Sequence, residues 1–242
     1  FLNFPFYIAK RYLISKKSHN VINIISWISV TGIAVGTMAL IIVLSAFNGL
    51  ETLVEDLYAS FDPDLKITLV EGKSFNSKSF PKDKILALAG VQFYNSALEE
   101  VALIKHNDKQ TIATIKGVEQ NFYKMSGLDS LMIEGSINSN PEDKNNVILG
   151  WGIAHQLALY ITDYSFQIGI IVPKKGRKKG FSPGSEFNKK TANAIGVFSV
   201  NPDFDTKYVL GSLEFVQNLL QQKNRLSSVE LSLKKNTNWE EV

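Results

Sequence analysis

Asn20-Val-Ile-Asn-Ile-Ile-Ser-Trp-Ile-Ser-Val-Thr-Gly-Ile-Ala-Val-Gly-Thr-Met-Ala-Leu-Ile-Ile-Val-Leu-Ser-Ala-Phe-Asn-Gly-Leu50 is a run of 31 residues without a formal charge. About 20 apolar residues cross a bilayer core of roughly 30 Å, and a helix rises about 1.5 Å per residue. The run therefore predicts a membrane-spanning helix that continues out of the lipid as a stalk. A core helix of a soluble domain is the competing reading. A cleaved signal peptide fits less well, because its apolar region needs only about 7–15 residues.

The flanks give the orientation. Lys10, Arg11, Lys16 and Lys17 precede the run, and Glu51, Glu55 and Asp56 follow it. Basic residues stay on the cytoplasmic side, so residues 1–19 are expected in the cytoplasm and residues 51–242 outside it. In the tail, Phe4, Ile8 and Tyr12 repeat every four residues, with Phe6 and Leu13 beside them and basic residues interleaved. That pattern predicts an amphipathic helix lying against the headgroups or a cytoplasmic partner; a plain topology anchor has the same residues. Within the anchor, Ser29, Gly32, Gly36 and Ala39 form a stripe of small residues around a Gly-x-x-x-Gly pair. Such a stripe lets helix backbones approach in lipid, although glycine is also simply tolerated there.

Charge and composition narrow the function. Of 242 residues, 45% are hydrophobic and 20% charged, which excludes a disordered polyelectrolyte. The first 50 residues carry four basic side chains and no acid, whereas the other 192 carry 22 basic against 23 acidic. The net charge of +3 is thus a basic tail on a neutral body, and no nucleic-acid partner is expected. There is no cysteine, hence no disulfide framework. The chain lacks a Gly-x-x-x-x-Gly-Lys-Ser/Thr phosphate loop and a Gly-x-Ser-x-Gly elbow. His19, His106 and His155 are scattered without metal-ligand spacing, so no metal site is expected. The neighbours Glu99 and Glu100, and Asp62 and Asp64, read as turn or strand-edge carboxylates. No catalytic residue is assigned, and no enzyme is expected.

The body reads as an α+β domain, possibly of two lobes. Strands are expected over residues 65–70, 101–105, 110–115, 147–149, 165–172, 194–200, 208–210 and 229–233, with a hairpin turn at Asn107-Asp108. Helices are expected over 81–88, 151–159 and 213–220. Between residues 173 and 191 the alternation breaks. Residues 174–190 hold seven basic side chains against Glu186 alone, with Gly176, Gly180, Pro183 and Gly184. That composition predicts an exposed loop or hairpin tip. Its aromatics, Phe181 and Phe187, either tuck onto the body or face a partner.

Phe6-Tyr-Ile-Ala-Lys-Arg-Tyr-Leu13, Ile25-Ser-Trp-Ile-Ser-Val-Thr-Gly-Ile-Ala-Val-Gly36 and Leu40-Ile-Ile-Val-Leu-Ser-Ala-Phe-Asn-Gly-Leu-Glu51 together resemble the lipoprotein-releasing ABC transporter permeases of the LolC/LolE type, within the MacB-like class. Weaker matches continue through Val147-Ile-Leu-Gly150, Ala154, Leu157, Ile171-Val-Pro173, Ile195-Gly-Val-Phe198, Asp203-Phe-Asp-Thr-Lys-Tyr-Val209 and Leu213-Glu-Phe-Val-Gln217. Leu50 stands where the family string has an aromatic.

The resemblance implies a MacB-like periplasmic core domain on the first of four transmembrane helices, in a bacterial inner membrane. This chain then reads as a fragment: it lacks three of those helices, and Phe1 in place of Met marks a missing start. A separate cytoplasmic ABC ATPase is implied, holding ATP and magnesium, with no cofactor in this chain. A second permease subunit is implied, the same or a paralogue. Lys10, Arg11 and Tyr12 would lie at the cytoplasmic coupling site, and the small-residue stripe would pack against another helix. A periplasmic lipoprotein carrier would be gripped by a hook with Phe-x-Pro at its tip. Phe181, Ser182, Pro183 and Gly184 occupy that place, with Phe187, Lys189 and Lys190 seating the carrier. The basic run 174–179 also suits lipid headgroups. Alternatives are a MacB-like exporter of peptides or toxins, and a membrane-tethered regulator of a periplasmic partner.

Overall fold

The computed structural model describes residues 4–14, 20–59, 63–137, 144–161, 166–174, 186–234 and 237. The chain divides into two compact units, residues 1–55 and 56–242.

The first unit is helical. Helix α1 spans Phe4–Ile14 and α2 spans Asn20–Ala59, 40 residues long. The stretch Ile24–Glu51 is the one helix among the described residues long and apolar enough to cross a membrane, and none of it is buried. A helix apolar on every side belongs in a large core or in lipid, and here Trp27, Ile33, Ile41 and Phe47 are all exposed. The core-helix alternative is therefore set aside. Hydroxyls in the span bond within the helix: Ser29 Oγ donates to Ile25 O (3.0 Å) and Thr37 Oγ1 to Ile33 O (2.9 Å). These two hydroxyls need no partner from the surroundings of the helix.

The second unit is mixed α and β, as expected. In chain order it holds β1 (Leu65–Thr68), β2 (Phe75–Asn76), α3 (Lys82–Leu86), β3 (Val91–His106), β4 (Lys109–Val118), α4 (Asn121–Met125) and β5 (Met132–Gly135). Then follow β6 (Asn146–Gly150), α5 (Trp151–Gln156), β7 (Phe166–Pro173), β8 (Phe187–Phe198), α6 (Pro202–Asp205), β9 (Tyr208–Ser212), α7 (Leu213–Leu220), β10 (Arg225–Leu226) and β11 (Ser228–Leu233).

Six strands pair in a closed cycle: β3 with β4, β4 with β9, β9 with β6, β6 with β8, β8 with β7, and β7 with β3. Side chains alternate between the faces of a strand. The inner set of this ring is Leu98, Ala102 and Ile104 of β3, Ala113 and Ile115 of β4, Ile168, Ile170 and Val172 of β7, and their neighbours on β6, β8 and β9. Ile153 of α5 with Phe215, Val216 and Leu219 of α7 completes that core. On the outer side Phe122 of α4 and Leu128 cover Val118, Ile148, Phe198 and Leu210.

The 16-residue β3 leaves the ring at its first half. There it pairs with β11, which pairs with β1, over a smaller core of Tyr94, Leu226, Val229 and Leu231. Residues 56–242 nonetheless form one compact unit, with β3 running from this smaller core into the core of the ring.

Three expectations need correction. The break at 173–191 ends earlier, because residues 187–193 already belong to β8. The hairpin strands are longer than expected, 91–106 and 109–118. Glu99 and Glu100 lie inside β3 rather than at a turn or sheet edge.

Candidate functional site

Strands β7 and β8 form a long hairpin. Its register runs from Phe166 opposite Ala194 to Pro173 opposite Phe187, and Lys174 N donates to Glu186 O at 2.8 Å. Strand β3 flanks β7 only at Gly169–Ile171, and β6 joins β8 from Asn193 onward. Among the described residues, β8 from Phe187 to Ala192 therefore pairs with β7 alone. Past Ile171, β3 no longer flanks β7, so Val172 and Pro173 pair only with Asn188 and Phe187 among the described residues. Lysines along such an edge also discourage pairing with another chain.

The hook residues Phe181, Ser182, Pro183 and Gly184 lie outside the described residues. Phe187, Lys189 and Lys190 are described, and the pleat separates them. Phe187 and Lys189 share the outer face with Pro173 and Ile171, their partners across the hairpin. Lys190 points to the other face, where its ammonium lies 5.8 Å from the Phe215 ring centroid. Asn188 shares that inner face and is buried, with its amide nitrogen unpaired. Lys189 and Lys190, expected to seat one partner together, thus address two surfaces.

In the first unit Lys10 and Arg11 are exposed on α1. One turn earlier stand the exposed Phe6 and Tyr7, so aromatic and basic side chains share stripes. Tyr12 is helical, and its side chain lies outside the described set. On α2, Gly32 and Gly36 have open space where a Cβ would project, which leaves the Ser29–Ala39 stripe free for a neighbouring helix.

The chemistry sequence reasoning missed is a buried ionic cluster where β3 passes between the two cores. Glu230 of β11 is fully buried and lies 2.8 Å from Lys116 Nζ of β4. Glu230 Oε2 also accepts from Asn95 Nδ2 at 2.9 Å, and Asn95 Oδ1 accepts from the Glu119 backbone N–H. Glu99 lies 3.7 Å from Lys116 and 3.3 Å from Lys66. For Lys66, burial opposes the charged form, but the Glu99 and Glu230 carboxylates outweigh it and raise the pKa. Burial likewise pushes the Tyr123 hydroxyl up to about 12. Such an arrangement holds strands together, and Glu100 is likewise engaged, 2.9 Å from Lys73. The remaining acids and histidines do not converge: among the described residues no group of three metal-ligating side chains occurs. His155 stacks on Trp151, and His106 Nδ1 lies 3.1 Å from Gln167 O.

The chain thus joins one helix long and apolar enough to cross a membrane to a mixed helix-and-sheet domain, and sequence comparison gives the family. The profile of the MacB-like periplasmic core domain matches residues 26–242, and the chain belongs to that family. Among individual proteins it is similar to the lipoprotein-releasing system transmembrane protein LolC of Buchnera aphidicola subsp. Schizaphis graminum, 27% identical over 229 residues, 94% of this chain and 55% of that protein. It is also similar to the lipoprotein-releasing system transmembrane protein LolE of Haemophilus influenzae, 24% identical over 238 residues, 96% of this chain and 55% of that protein. The chain spans about half the length of these relatives. Among solved structures, the periplasmic region of MacB from Actinobacillus actinomycetemcomitans aligns at a TM-score of 0.47 and 13% identity, over 65% of each chain.

Proposed function

We propose that this chain is the N-terminal part of a permease subunit of an ABC-type lipoprotein-releasing system in a bacterial inner membrane. A separate cytoplasmic ATPase hydrolyses ATP, this chain binding no nucleotide, and a second permease subunit completes the membrane path. The domain after α2 lies in the periplasm and passes lipoproteins to a soluble carrier. The observation that carries this reading is the similarity to LolC along 94% of the chain, at 27% identity, together with a β7–β8 hairpin whose strands end at Pro173 and Phe187 on either side of the basic interval. Each acyl CH₂ leaving a bilayer costs about 0.8 kcal/mol, so a multiply acylated protein leaves only with external work. The basic flank before Ile24 and the acidic one after Leu50 support a cytoplasmic N-terminus.

The test is reconstitution of the full-length protein in lipid with its ATPase, its partner permease, an acylated substrate and purified carrier. ATP-dependent transfer of substrate to the carrier is expected, falling about tenfold or more with Phe181→Ala and Pro183→Ala together. Transfer without ATP, an absence of transfer, or transfer indifferent to both substitutions overturns the reading.

A further inference from the structure

Strand β1 stands at the edge of its sheet: it pairs with β11 and with no other described strand. The N–H and C=O groups on its far side have no strand to meet among the described residues, and an open edge of this kind invites another chain. Folds guard such edges with a proline, a bulge or a lysine held out over the ladder. The ladder between β1 and β11 has no bulge, and residues 64–72 hold no proline. Their one lysine, Lys66, is drawn back to Glu99 at 3.3 Å and Glu230 at 3.7 Å.

The edge is also apolar. Residues two apart share a face of a strand, so Leu65, Ile67 and Leu69 lie in one row on the side of the small core, against which Leu65 packs. Ile67 and Leu69 are each 37% exposed, and Val70 is fully exposed. A strand of four residues is too short to gather arbitrary chains, so its partner must be presented to it.

We propose that β1 pairs, antiparallel and about a two-fold axis at Ile67, with β1 of a second copy of this chain. The inference rests on the second permease subunit proposed above and makes that subunit the same protein. Register favours self-pairing. With Ile67 opposite Ile67, Leu65 falls opposite Leu69, Lys66 opposite Thr68 and Asp64 opposite Val70. No like charges meet, and the apolar row runs on across both strands. Chain length favours it too. Leu65 follows Ala59, the last residue of α2, by six residues, a reach of at most about 21 Å. Two copies whose α2 helices pack along the Ser29–Ala39 stripe would thus hold their β1 edges at high effective concentration. An extended segment of substrate would gain the same main-chain bonds without this side-chain matching.

The chain has no cysteine, so single substitutions report the pairing directly. The experiment uses the full-length protein in its membrane, with any cysteine beyond residue 242 replaced by serine. Ile67→Cys is expected to give a disulfide-linked dimer on mild oxidation, because directly opposed Cα atoms lie about 4.5–5.5 Å apart, within disulfide reach. Val70→Cys is the control. Its full exposure favours chance collision, yet pairing about Ile67 sets the two copies of residue 70 six residues apart, about 20 Å. A bridge at Ile67 many-fold stronger than at Val70 is expected. Bridging at Val70 that equals or exceeds it overturns the proposal. The register has a second test: Asp64→Cys in one tagged copy and Val70→Cys in another should bridge to each other, although neither bridges to itself. Absence of both the Ile67 bridge and the 64–70 bridge overturns the proposal as well. A second permease subunit that co-purifies without either bridge sinks the strand pairing and spares the permease reading. Purification with no second permease subunit sinks both.

Discussion

Glu230 sits fully buried between two lysines, with Asn95 on its other carboxylate oxygen. A buried charge keeps its place only while it is paired, and deleting one partner leaves the other stranded at a cost of about 3–5 kcal/mol. Glu230→Leu should therefore destabilise the domain by that amount, read as faster hydrogen exchange along β3 and β11. Adding Lys116→Met should recover much of the loss, since a well-packed apolar pair replaces ions at little cost. If the double substitution is no more stable than Glu230→Leu alone, the carboxylate's role is not its pairing with Lys116. No sequence pattern announces this cluster. Its members lie on four strands, with Asn95 and Glu230 alone 135 residues apart, and each polar residue reads locally as a solvent-facing position.

Elements were legible where one face is buried and the other wet. Helix α7 came out residue for residue, because Phe215, Val216, Leu219 and Leu220 fall on one stripe behind the Ser212 cap, whose hydroxyl accepts from Phe215 N at 3.2 Å. Strand β3 was seen only in its second half. From Tyr94 to Leu98 every residue is buried, polar Asn95 and Ser96 included, so the alternation that betrays a strand is lost. The start of β8 was hidden the opposite way: Lys189, Lys190 and Thr191 are all exposed, as in a loop. The stacking of α7 on β4 depends on Gly117, where a Cβ would lie 2.7 Å from Val216 Cβ. Gly117→Ala must push the helix off the sheet, with a cost of about 1–3 kcal/mol expected from overpacking. Thermal unfolding measures it, and Gly117→Ala with Val216→Ala should regain part of the loss. A Gly117→Ala protein as stable as the parent would show that the contact yields freely.

At the scale of the whole molecule, the anchor and the family were plain from the first fifty residues, since lipid imposes a length and a polarity that soluble folds do not. The candidate site was legible only as an odd basic interval. That β1 stands at a sheet edge, beside β11 from the far end of the chain, is set by topology and absent from any local window. On α2 nothing lies within 4 Å of where a Cβ would stand at Gly32 or Gly36, and we propose this stripe as a helix-packing face. Gly32→Leu with Gly36→Leu keeps the span apolar, so membrane insertion should be unchanged while co-purification of the second permease subunit falls several-fold. Equal recovery of that subunit would remove the stripe from the interface.

The ladder between β7 and β8 runs eight residue pairs, from Phe166 opposite Ala194 to Pro173 opposite Phe187. The hairpin is tied to the ring through β3 and β6 by hydrogen bonds that lie across the strand direction, so a tug along it loads those bonds side by side rather than one after another. Force applied at the loop end of the hairpin would then meet several bonds at once, and the base resists unzipping.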